Sequence, residues 1–133
     1  RFINQLMRDG KKATAERVVR GSFLHIRSQV PNKEPLDVLV SAIQNVMPLV
    51  QVRALIKGGR KYQIPSPVHS RRQMFLASKW IRESAKKRKG LNFSEKLSAE
   101  LVDAYNGLGK AIDKRNELHK MAQTNRAYSH FRF

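Results

Sequence analysis

Leu49-Val50-Gln51-Val52-Arg53-Ala54-Leu55-Ile56-Lys57-Gly58-Gly59-Arg60-Lys61-Tyr62-Gln63-Ile64-Pro65 is β-prone, in a chain whose flanking segments carry apolar residues at helical spacing. Its first run, 49–56, and the shorter 61–64 bracket a Gly-Gly pair. Both central positions of a type I′ turn need φ > 0, so Gly58-Gly59 is a two-residue hairpin signal. That turn sets Lys57 directly opposite Arg60. Two facing cations are destabilising, and an external anion would account for their placement. Inward and outward residues alternate imperfectly in both strands. The stretch therefore predicts an arm over about 49–65 that projects from the fold, with Pro65 and Pro67 ending it.

Pro48 closes a helical N-terminal part. Phe2, Ile3, Leu6 and Met7 have helical spacing, and Asp9-Gly10 is a stop signal. A second helix is predicted from about Lys12 to Ser28, with Ala15, Val18, Val19, Ser22, Phe23 and Ile26 on its apolar face. Val30-Pro31-Asn32 breaks it. Pro35 suits the first position of a third helix. The predicted stripe of that helix is Leu36, Leu39, Val40, Ile43, Val46 and Met47.

Beyond the arm, a fourth helix is predicted from about Ser70 to Lys87. Arg72, Lys79, Arg82, Lys86 and Lys89 fall within about a third of its circumference. Phe75 lies inside that stripe, and Met74, Leu76, Ala77, Trp80, Ile81 and Ala85 lie opposite. Asn92 with Glu95 resembles a capping box for a fifth helix, whose inward residues would be Phe93, Leu97, Leu101, Ala104, Tyr105 and Leu108. Asn106-Gly107 and Gly109 predict a sharp turn. A sixth helix should then run from Lys110 to about Tyr128. Lys110, Lys114 and Arg115 crowd its first turns against the helix dipole, and a phosphate bound there would reverse the penalty. The expected fold class is mainly α: about six helices in one bundle, a single domain over 1–133, with a two-stranded antiparallel hairpin between the third and fourth helices.

The chain has 133 residues, 27 Lys and Arg against ten Asp and Glu, and a formal net charge of +17. The charge is local. Residues 49–89 hold 12 of the bases and one acid, Glu83. Such one-signed charge repels itself in a compact fold unless it is solvated or neutralised by a polyanion, most commonly a phosphate backbone. With no cysteine, disulfides and thiolate metal sites are excluded. No apolar run approaches a membrane span, and a membrane-surface role would leave the arm without a purpose. That residue 1 is Arg is compatible with a preceding leader or extension. His25, His69, His119 and His130 lack metal-ligand spacing, and no phosphate loop, dinucleotide fingerprint or serine elbow is present. Asp113 and Glu117 read as surface charges. An enzyme, a cofactor and a small-molecule substrate are therefore not expected. Trp80 reads as core. The terminal aromatics Tyr128, Phe131 and Phe133 suit either RNA stacking or a docked terminus. A free-standing DNA- or RNA-binding regulator with a helix-turn-helix-like core is the alternative role.

Seven short motifs in order give a resemblance. They begin with Phe2-Ile3-Asn4 leading into Leu6-Met7-Arg8-Asp9-Gly10-Lys11-Lys12, and continue with Asn45-Val46-Met47-Pro48. Next come Gly58-Gly59 with Tyr62-Gln63-Ile64-Pro65, and Arg71-Arg72-Gln73 with Lys79-Trp80. Asn106-Gly107 with Gly109, His119-Lys120-Met121-Ala122, and Asn125-Arg126-Ala127 to His130-Phe131-Arg132 close the set. The chain resembles the small-subunit ribosomal protein seven family over essentially its whole length. The resemblance implies a helical protein with a protruding hairpin. It implies binding to the 3′ major (head) domain of small-subunit rRNA, head assembly, and neighbouring head and platform proteins. It also implies a hairpin near the exit-site tRNA and the mRNA exit path. Carried onto this chain, RNA binding falls on Lys11, Lys12, Arg53, Lys57, Arg60, Lys61, Arg71, Arg72, Lys79, Arg82, Lys86, Lys110, Lys114 and Arg115. Ile56-Lys57-Gly58-Gly59-Arg60, the second proline in Ile64-Pro65-Ser66-Pro67 and the final Phe133 depart from the common bacterial pattern. The first two look more like mitochondrial members, which implies the mitochondrial matrix ahead of a bacterial cytoplasm or a plastid.

Overall fold

The helical periods and the glycine turn become six helices and one hairpin. A computed structural model describes residues 2–7, 10–90 and 92–126. In chain order it contains α1 (Phe2–Leu6), α2 (Lys12–Gln29), α3 (Pro35–Val46), β1 (Val50–Lys57), β2 (Arg60–Pro67), α4 (Ser70–Lys86), α5 (Phe93–Tyr105) and α6 (Lys110–Thr124). The mainly α class, the six helices and the antiparallel hairpin between α3 and α4 are as expected.

The core is built around α5, which packs against α2, α3 and α4. Leu97, Leu101 and Ala104 of α5 are fully buried. They share one hydrophobic cluster with Ile26 of α2, Val38, Ala42 and Val46 of α3, and Ala77, Ile81 and Ala85 of α4. Each large aliphatic side chain so buried contributes roughly 1.5–3 kcal/mol relative to exposure. The small residues let helices approach closely. Trp80 is partly buried against the same cluster.

Two predicted faces shift. In α3 the buried line is Pro35, Val38, Leu39, Ala42, Ile43 and Val46, whereas Leu36 and Val40 are exposed. Apolar residues cover a wide arc of this helix opposite Asp37, Ser41, Gln44 and Asn45, so periodicity alone could not choose between adjacent lines. Leu108, predicted inward, is 62% exposed because it lies in the turn after α5.

Capping explains the helix ends. Asn92 accepts a hydrogen bond from the Glu95 N–H at 2.9 Å, the expected cap of α5. At its other end, Asn45 of α3 donates from Nδ2 to the carbonyls of Ala104 (3.0 Å) and Tyr105 (3.3 Å). Those carbonyls lie in the last turn of α5, where helical partners run out, and the Ala104 carbonyl also accepts the Gly107 N–H at 3.0 Å. Helix α6 stops at Thr124, short of the predicted Tyr128. There Asn125 Nδ2 donates to the Met121 carbonyl at 2.8 Å, satisfying a last-turn acceptor in place of a further turn. Tyr128, His130, Phe131 and Phe133 lie outside the described residues.

The hairpin is longer at its base than predicted. Pairing runs from Lys57 opposite Arg60 to Val50 opposite Pro67, so Pro65 and Pro67 lie within β2 and do not end it. The register explains why. Behind a two-residue turn the closing pair, Lys57 and Arg60, exchanges ladder hydrogen bonds, and every second pair does likewise. Pro65 and Pro67 face Val52 and Val50 at the intervening positions, where an N–H would point away from the partner strand. Neither proline removes a ladder bond. The hairpin base packs on α6, with Ile64 and Val68 buried. Residues 56–61 at the tip are all exposed.

Candidate nucleic-acid interface

The hairpin tip is the first of four places where the predicted bases fall. Gly58 and Gly59 have φ of 60° and 77°, the left-handed conformations that a type I′ turn requires. They set Lys57 against Arg60 as predicted. Side chains two apart on a strand share a face, so Arg53, Lys57 and Arg60 stand together with Tyr62 on one side of the ribbon. Lys61 projects from the other. The Arg60 guanidinium lies 5.9 Å from the Tyr62 ring centroid. The sequence suggested poor alternation. The register puts three cations and an aromatic on one face, together with Leu55 and, toward the base, the buried Ile64.

The second place is the side of α4 that faces α1. Arg71, Arg72, Met74, Phe75 and Ser78 follow helical spacing and line an open groove of about 600 Å³ with Asn4 and Gln5. Arg71 and Arg72 are exposed. Further along, Arg82 donates from Nη1 to the Gln5 carbonyl at 2.6 Å, which ties α1 to α4. Arg82 and Lys86 line a second recess with Leu6 and Phe93. The predicted stripe is therefore not uniform. Of its members Arg72, Lys86 and Lys89 are exposed, Lys79 and Arg82 are half-buried, and Arg82 has a structural partner.

The third place is the start of α2, where Lys11 and Lys12 are exposed and no side chain caps the helix. The fourth is the start of α6, and here the fold uses its own charges. Lys110 is exposed. Lys114 pairs with Glu83 of α4 at 3.1 Å. That hydrogen bond holds the Glu83 carboxyl below its ordinary range, burial opposes it, and the charges of Lys114, Lys79 and Arg82 add to it. Arg115 donates from Nη1 to the Asn45 carbonyl at the end of α3, where a cation also suits the helix dipole.

The anion expected at the α6 N-terminus is supplied from within the chain. Glu100 is fully buried, and its Oε1 accepts the Ala111 N–H of the first turn of α6 at 3.2 Å. Its Oε2 accepts from Arg88 Nε at 2.8 Å, and Arg88 also donates to Asp103. Burial pulls the Arg88 pKa down, but the bonds to Asp103 and Glu100 outweigh it and raise it overall. Gly109 belongs to this arrangement. Its φ is 98°, and a Cβ there would lie 3.1 Å from Glu100 Oε1. No external phosphate is needed to explain the basic start of α6. Nor is the run Lys86-Lys87-Arg88-Lys89 wholly outward, since Arg88 turns into the fold.

His119 joins α6 to the hairpin. Its Nε2 accepts the Leu49 N–H at 3.0 Å, which requires an unprotonated Nε2. Burial, and then the charge of Arg115, lower its pKa from 6.5. A base with a depressed pKa in the folded state is protonated first in the unfolded chain. Its contribution is thus complete above pH 6.5 and is lost as pH falls through the folded-state value. Thermal midpoints should therefore drop from about pH 7.5 to about pH 5, and His119→Gln should flatten that dependence. A wild-type profile identical to that of His119→Gln would contradict the assignment.

Among the described residues no three His, Asp or Glu side chains are placed to hold a metal ion. No helix among them is long and apolar enough to cross a membrane. Asp113 and Glu117 are both exposed.

The family described as ribosomal protein S7p/S5e matches residues 1–126. The chain belongs to this family. It is similar over its full length to the small ribosomal subunit protein uS7 of Polynucleobacter asymbioticus, at 47% identity and covering 85% of that protein. It is likewise similar to uS7m of Reclinomonas americana, at 49% identity over the full chain and 83% of that protein. The corresponding protein of an Azoarcus species is 44% identical. The chain is a protein of the small ribosomal subunit and not an enzyme.

Proposed function

We propose that the chain acts as a single RNA-binding unit on the 3′ major (head) domain of small-subunit rRNA and supports assembly of the head beside head and platform proteins. The hairpin tip carries this proposal, because four bases within nine residues stand on an exposed ribbon and Lys57 faces Arg60 across it. Such an arrangement costs stability in isolation and is relieved by phosphates. Arg53, Lys57, Arg60 and Lys61 of the tip act with Arg71, Arg72 and Lys86 of α4, Lys11 and Lys12 of α2, and Lys110 of α6 as the phosphate-facing set. Lys79, Arg82, Lys114 and Arg115 contribute from the edges, since the last three also tie helices together. Recognition is mostly of shape and phosphate, because side chains cannot read the deep major groove of A-form RNA.

The projecting tip also suits a position beside the exit-site tRNA and the mRNA exit path, as the family resemblance implies. The compartment is the mitochondrial matrix, which the similarity to a mitochondrial relative and the Ile56-Lys57-Gly58-Gly59-Arg60 hairpin support. Sedimentation tests the role. Tagged full-length protein should travel with the small subunit from a mitochondrial fraction. Travel at the top of the gradient, away from ribosomes, would favour a free-standing nucleic-acid-binding regulator.

A further inference from the structure

The groove between α1 and α4 holds more than phosphate binding needs. Its floor is apolar, formed by Met74 and Phe75, and Phe75 is 37% exposed. The Arg72 guanidinium lies over the Phe75 ring, 5.1 Å from its centroid. Ser78, one turn on, has no exposed surface, and its hydroxyl has no hydrogen-bond partner. Asn4 and Gln5 line the opposite wall, and the exposed Arg71 stands at the rim.

We infer that this groove receives one unpaired nucleotide of the bound rRNA. The Arg72–Phe75 pair provides a flat platform for the base, since bases stack on both aromatic rings and guanidinium planes. The side chains of Asn4 and Gln5 offer donors and acceptors to the base edge. Arg71 takes the adjoining phosphate. A paired base within a helix cannot enter such a groove, so the ligand is a nucleotide from a loop, bulge or junction. The inference rests on the rRNA-binding function proposed above and adds a base-receiving site to it.

Three variants test it against a transcript of the rRNA head domain. Phe75→Leu keeps an apolar residue of similar reach but no ring. It should weaken binding about tenfold with an unchanged salt slope, because no phosphate contact is lost. Asn4→Ala, at an exposed residue of the groove wall, should weaken binding several-fold while changing the thermal midpoint little. Phe75→Trp should show fluorescence quenching that saturates at the transcript's own Kd, beyond any change from Trp80 seen in the wild type. Wild-type binding with Phe75→Leu and Asn4→Ala both within twofold, and no added quenching in Phe75→Trp, would overturn the base site while leaving the rRNA-binding function standing. Failure of the wild type to bind the transcript would overturn both.

Discussion

Glu100→Ala is expected to cost as much stability as truncating a fully buried aliphatic side chain of the helical core. The carboxylate is fully buried and joins Arg88 to the first turn of α6. Its removal leaves a half-buried guanidinium with one partner instead of two. It also leaves the N-terminus of α6, whose cap residue Gly109 offers no side chain, without its anion. Losing the charge-assisted bond to Arg88 and leaving the buried Ala111 N–H unpaired together cost about 3 kcal/mol or more. For a chain of this size that is a fall in Tm on the order of 10 °C or more. Glu117→Ala, an exposed carboxylate on α6, should change stability by less than about 0.5 kcal/mol. Thermal denaturation of the two variants side by side checks this, and equal midpoints would show that the Glu100 bridge holds nothing together.

Replacing Lys57, Arg60 and Lys61 together with Gln should have the opposite profile. All three are exposed at the hairpin tip, and two of them face each other. Thermal stability should stay level or rise slightly as cross-strand repulsion is removed. Affinity for head-domain rRNA should fall about tenfold or more, with the salt slope reduced by roughly two to three. Filter binding and denaturation on the same preparations measure both quantities. A large loss of stability would mean that the tip packs into the fold.

These two variants mark what could and could not be read from the sequence. The hairpin was legible because glycine pairs have few reasons to sit between two β-prone runs, and both glycines take the positive φ that was predicted. Its extent was not. Whether Pro65 and Pro67 end a strand depends on which pairs carry ladder bonds, and that depends on a register known only once the turn is fixed. In α3 the apolar arc is wider than the buried line, so the choice of Val38 and Ala42 over Leu36 and Val40 came from packing against neighbouring helices. Glu100 left a signal: a carboxylate on the apolar stripe between Leu97 and Ala104 must have a buried partner. Nothing local identified that partner as Arg88, one of four adjacent bases that looked alike. Asn45 was visible as part of a motif. Its role was not, because the α5 carbonyls it caps are about sixty positions away. The same distance effect hid the partners of Lys114 and Arg115, whose crowding at the start of α6 suggested an external phosphate.

The resulting picture divides one basic sequence into two sets. Arg88, Lys114, Arg115 and Arg82 reach across helices and hold the fold. The hairpin bases, Arg71, Arg72, Lys86 and the lysines opening α2 and α6 are proposed to face RNA. That division predicts binding dominated by counterion release. The most direct measurement is the affinity of the wild-type chain for a head-domain rRNA transcript across a range of monovalent salt. With about six phosphates neutralised, log Kobs should fall against log salt with a slope of about −5. A slope near zero would contradict the phosphate-facing set and the charge-based recognition built on it.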